Sequence, residues 1–198
     1  YKRQALRDVP RDAVVIATKT NSRRGTSVAR DVERFLRELE TDVLDVVLLH
    51  YMTRGDWPRR YAEAMEALSR AKEQGKVRAV GVSCHGTGAL RAAAETEWTD
   101  VVLARINYAG VNMDGAPDEV VPLLARLHAA DKAVYGMKVL GCGRLVLDAR
   151  RAIAYVLGLG TVHAITIGMS RPEHVRQNCA QVILGDRWLP GSPGPLRS

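Results

Sequence analysis

Cysteine is scarce in this chain. Its 198 residues hold three, Cys84, Cys142 and Cys179, with no CxxC pair. An odd number so widely spaced argues against a disulfide framework and a clustered zinc site, and predicts a reducing compartment, the cytoplasm. Aromatic residues are also few, at 5% with a single Phe. Basic residues exceed acidic ones by 29 to 22, a net charge of +7, but the arginines are dispersed and have few aromatics among them. That pattern disfavours a nucleic-acid partner. No apolar run approaches the ~20 residues that span a bilayer, so no membrane partner is expected. No signal-peptide pattern opens the chain. HxH and HExxH are absent and His85, His128 and His163 are scattered, so no metal site is expected.

What is present is an ordinary globular composition, 46% hydrophobic and 26% charged. That suffices for one domain with a sizeable core. Short β-branched apolar runs occupy 13–19, 45–51, 77–83, 100–107, 133–139 and 163–169. Each suits a buried parallel strand. Helical patterns lie between them. Thr26 or Ser27 is expected to cap a helix with Val28, Val32, Phe35, Leu36 and Leu39 on one face. Pro58 is expected to open another, with Tyr61, Ala64, Met65, Leu68 and Ala71 inward and Gly75 at its end. Thr87 caps a third, Pro117–Ala130 and Asp148–Leu157 follow, and Pro172 opens a last one reaching about Leu184.

Repeated strand–helix units without hairpin signals mean an α/β fold. No GxGxxG follows a strand, which lowers the open dinucleotide-binding sheet and favours a (β/α)8 TIM barrel. Six of its eight units are visible. The chain starts at Tyr1 rather than Met, and KRQALRDVPRD reads as a helix end entering a loop. Two strands are therefore expected upstream. The edges at 13–19 and 163–169 should pair with another stretch of the same polypeptide or with a second subunit, so a homo-oligomer stays open. Residues 1–184 are assigned to the barrel and 185–198 to a Pro/Gly-rich tail.

In such a barrel the chemistry lies at the C-terminal strand ends. Those ends here are Lys19, His50, Ser83-Cys84-His85, Asn107, Met137-Lys138 and Gly168-Met169-Ser170. Lys and His closing successive strands form a moderately specific pair. Trp57, in the loop after His50, either lines a pocket or packs on the next helix. Asn112-Met113-Asp114-Gly115 either approaches substrate or forms a turn.

The phrases VVIATKT, LRELETDVLDVVLLH, AKEQGKVRAVGVS, VLGCGRL and IGMSRPEHVRQN occur in that order from residue 14 to 178. The chain resembles the aldo-keto reductase family over about 5–183, with the WPRRY and SCHG variants pointing to a bacterial subgroup. The resemblance implies reduction of a small-molecule carbonyl, an aldehyde or ketone, with NADPH or, second, NADH. It makes Lys19 the family lysine, whose charge lowers the pKa of a neighbouring tyrosine, and His50 the histidine that orients the carbonyl. The family's Asp and Tyr are expected upstream. Tyr1 itself stands only 18 positions before Lys19, too near for the family spacing.

For the cofactor, the resemblance assigns Ser83 to the nicotinamide carboxamide. Cys84 stands where the family has Asn, and Leu103 where it has Gln. Asn107 matches an Asn just beyond, and Met137 stands where an aromatic ring stacks. Lys138, Leu140 and the glycines of 138–143 match the loop over the pyrophosphate. Gly168, Ser170, Arg171 and His174 fall at the adenosine-ribose phosphate, and Gln177 and Asn178 at the adenine. Two other readings remain: a catalytically silent structural or regulatory relative, and an unrelated phosphate-binding barrel lyase or isomerase using Lys19 as a Schiff-base nucleophile.

Overall fold

The computed structural model describes residue 4 and residues 6–185. Tyr1 and the tail beyond Gly185 lie outside the described residues. The chain forms two compact units that meet between Val102 and Leu103.

The first unit carries β1 (Ala17–Thr20), α1 (Gly25–Leu39), β2 (Leu44–Met52), α2 (Trp57–Arg60), α3 (Ala62–Glu73), β3 (Val77–Cys84), α4 (Thr87–Glu95) and the start of β4 (Val101–Arg105). β1, β2 and β3 are parallel neighbours in that order. Their core is made of residues the apolar runs contain: Leu44, Val47, Leu48 and Leu49 are completely buried, with Val28, Ala64 and Leu68 from the helices. Each fully buried aliphatic side chain contributes roughly 1.5–3 kcal/mol. Two glycines let elements approach closely. A Cβ on Gly25 would sit 2.9 Å from the Glu63 carbonyl oxygen of α3, and one on Gly81 only 1.8 Å from the Val101 carbonyl oxygen.

The second unit carries the end of β4, α5 (Pro117–Ala129), β5 (Ala133–Met137), α6 (Ala149–Gly158), β6 (Ala164–Ile165) and α7 (Pro172–Gly185). β5 and β6 are parallel. Strand–helix alternation holds in both units, as the sequence spacing predicts.

Several boundaries differ from the sequence expectations. β1 begins at Ala17 rather than 13, because Arg11–Ala13 close a 3-10 turn after Pro10. β4 stops at Arg105, where the Asn107 side chain captures the following loop, and β5 stops at Met137, where Lys138 turns left-handed (φ 62°). β6 shrinks to two residues because its partner β5 has ended. Neither Thr26 nor Ser27 caps α1. It starts at Gly25 with no side-chain cap, Phe35, Leu36 and Leu39 are only half-buried, and Thr87 is likewise inside α4. The helix expected from Pro58 is broken at Tyr61, whose backbone leaves the helical region (φ −118°, ψ 30°).

Candidate functional site

The registers level the strand ends of the first unit. Lys19 pairs with Leu48 and Thr20 with Leu49, while Leu49 pairs with Val82. His50 and Ser83 are therefore each one residue beyond a matched pair, on adjacent strands. The next matched pair is Met52 with Cys84. Three β2 steps face two β3 steps, so β2 bulges at His50-Tyr51. Tyr51 takes the left-handed conformation (φ 64°). Such bulges re-aim side chains beside functional sites, and a non-glycine held at positive φ is strained.

Ser83 fastens that bulge. Its Oγ lies 2.9 Å from His50 Nδ1 and accepts the Tyr51 N–H at 2.9 Å. Ser83 and Cys84 are buried, whereas His50 is half-buried and Lys19 exposed. The Tyr51 and His85 rings lie 4.3 Å apart and both flank the His50 ring. Burial lowers the His50 pKa below 6.5, and the charges of Lys19 and then Arg23 lower it further. At neutral pH the imidazole is uncharged.

Arg23 is a participant that sequence reading missed. It donates to the carbonyls of Asn21 (3.0 Å), Ser22 (3.1 Å) and His50. In a chain rich in dispersed arginines its only signal is its place four residues after Lys19. Trp57 is a packing residue rather than a pocket wall: it is buried and donates its indole N–H to the Ala89 carbonyl.

In the second unit, two loops are interlocked. Asn107 is fully buried. Its Nδ2 donates to the Val111 carbonyl at 2.8 Å and the Lys138 carbonyl at 3.1 Å, and its Oδ1 accepts from Ala109 and Val111. Its amide is thus engaged with backbone, so the structure gives it a positioning task where the resemblance implied a cofactor contact. Asn112 donates to the Gly141 carbonyl at 2.9 Å, and Asp114 pairs with Arg105 at 3.0 Å, so 112–115 is a tied turn. The Gly141 and Gly143 N–H groups close turns to Lys138 and Leu140. Met137 is buried, Lys138 and Leu140 are half-buried, and Gly168, Ser170, Arg171 and Gln177 are exposed, with His174 and Asn178 half-buried near the start of α7. Among the described residues no group of three or more His, Cys, Asp or Glu could hold a metal, and no helix is long and apolar enough to cross a membrane.

The aldo/keto reductase family model matches residues 2–155. The chain belongs to that family. An aldo-keto reductase of Mycobacterium avium is 30% identical over 193 residues, which cover 88% of this chain and 63% of that protein. The chain thus spans under two thirds of that curated relative. Among solved structures, an aldo-keto reductase from Pseudomonas aeruginosa superposes with a TM-score of 0.77 at 24% identity, covering 93% of this chain and 69% of the other. One from Klebsiella pneumoniae, solved with NADPH, gives 0.70 at 28% identity, covering 98% and 75%. The fold class is α/β of the (β/α)8 type, and the family's cofactors are NADPH and NADH.

Proposed function

We propose that the protein reduces an aldehyde or ketone to its alcohol with NADPH as the preferred cofactor and NADH as the second. The observation that carries this reading is the bulge at His50-Tyr51, locked by Ser83 beside the Lys19 strand end, in a member of this family. Ser83 Oγ already accepts the Tyr51 N–H. Donating its own proton to His50 Nδ1 leaves the proton of the neutral ring on Nε2. That N–H then donates to the substrate carbonyl oxygen, orienting it and drawing charge from its carbon. The nearby Lys19 charge stabilises the negative charge that develops on the same oxygen. Lys19 is exposed, which removes the desolvation that would make its amine a nucleophile and disfavours the lyase reading.

The second unit has features suited to a dinucleotide. Gly143 and Gly168 have open space where a Cβ would stand, and Arg171 makes no ion pair among the described residues. Lys138, Ser170, Arg171 and the N-terminal amides of α7 would hold the phosphates. When bound, the nicotinamide would supply the hydride to the carbonyl carbon, and the tyrosine that the resemblance implies would supply the proton to its oxygen. A cytoplasmic location suits the three free thiols. The test is aldehyde-dependent oxidation of NADPH by the purified protein in its full encoded length. His50→Ala should lower kcat/KM about 100-fold, the scale of a lost orienting group. Oxidation that ignores aldehyde, or an unaffected His50→Ala, refutes the reading.

A further inference from the structure

Lys19 and Arg23 both act electrostatically on His50, and Arg24, Arg54, Arg59 and Arg60 follow the ends of β1 and β2 along the chain. Of the carboxylates on the same elements, Asp31 is held by the Thr20 and Ser22 hydroxyls and by Arg34. Asp56 pairs with Arg54 at 3.2 Å, and Glu63 is exposed at the start of α3. Arg23 is the member joined to the site. It is half-buried, its guanidinium lies 4.9 Å from the Tyr61 ring centre, and Arg60 lies 5.8 Å from the same ring. Three of its N–H donors go to backbone carbonyls, one of them that of His50. A guanidinium has five. Among the described residues no carboxylate pairs with it.

We propose that the carbonyl substrate carries a carboxylate, which Arg23 receives, with Tyr61 and Arg60 behind it, while His50 holds the reacting carbonyl. The proposal rests on the reductase reading. Neutral acceptors fix the Arg23 guanidinium without cancelling its charge. Its remaining donors suit the two oxygens of a carboxylate, which a fixed guanidinium recognises better than a flexible ammonium does. Its place over the Tyr61 ring restrains it, and Arg60 near the same ring adds to the positive field.

The experiment compares kcat/KM for 4-oxobutanoate and for butanal with NADPH. The wild type should favour the carboxylate-bearing aldehyde at least tenfold. Arg23→Gln should cut that ratio at least tenfold and Arg60→Gln severalfold, while Arg30→Gln on α1 should leave it at the wild-type value. If circular dichroism shows that Arg23→Gln does not fold, Arg23→Lys and Arg60→Gln carry the test. A ratio near one in the wild type, or one unmoved by the folded variants at 23 and 60, overturns the proposal. Should neither aldehyde be turned over, calorimetric titration with 4-oxobutanoate decides. Binding that weakens in the 23 and 60 variants upholds the carboxylate site and refutes the reductase reading alone; absence of binding overturns the site.

Discussion

His50 has its pKa lowered by burial first and by two cations second, and both causes are open to measurement. Its imidazole should titrate by NMR below 6.5, and Lys19→Met should move the midpoint upward, since a repelling charge is removed. An unchanged or lower midpoint would mean that Lys19 does not act on the ring. The same shift bears on stability. The unfolded chain takes up a proton near 6.5 that the folded chain resists, so His50 costs stability as pH falls below that value and none above it. Asp45 shows the opposite sign. Burial alone would raise its pKa, but the Ile16 N–H, Arg11 and Arg78 outweigh that and lower it. Its contacts at 2.6–2.7 Å tie the segment before β1 to the starts of β2 and β3. Asp45→Asn should cost about 2–3 kcal/mol by urea unfolding at pH 7, the scale of charge-assisted bonds discounted for the exposure of Arg78. The gap from wild type should narrow as pH falls through the lowered carboxyl pKa. A gap independent of pH would contradict the assignment.

At the scale of elements, Gly81 on β3 is the sharpest case. With a Cβ 1.8 Å from the Val101 carbonyl oxygen, Gly81→Ala must push β4 away. It should lose about 3 kcal/mol or more, the upper range for overpacking, and a calorimetric Tm close to wild type would show that the strands yield freely. The helix–strand alternation and the strand ends at Lys19, His50 and Ser83 were legible because buried parallel strands write continuous apolar runs that end in polar residues. The bulge was not legible. It depends on one unmatched residue between Leu49 and Met52, and LLHYM carries no glycine to announce a positive φ. Capping failed for a related reason. α1 begins where Gly25 must pass the Glu63 carbonyl, and that contact lies far along the chain from the residues that signal a cap. The backbone-tying role of Asn107 was not legible, since its partners at Val111 and Lys138 come from loops the sequence leaves unplaced.

For the whole molecule, family membership is shown by the match over residues 2–155, and the groups proposed to hold the cofactor phosphates lie in the loop after β5 and at the start of α7. The protein should bind NADPH more tightly than NADH by tryptophan fluorescence. Arg171→Ala should narrow the preference by roughly 1.5–3 kcal/mol, one charge-assisted contact. Equal wild-type affinities would remove Ser170 and Arg171 from the phosphate site. In the proposed reaction the His50 end of β2 presents a carbonyl for reduction. The most direct test supplies NADPH deuterated at nicotinamide C4 on the transferred face, with an aldehyde substrate, and weighs the alcohol by mass spectrometry. The wild type should form an alcohol one mass unit heavier, and His50→Ala almost none. Unlabelled alcohol, or no alcohol from the wild type, would contradict it.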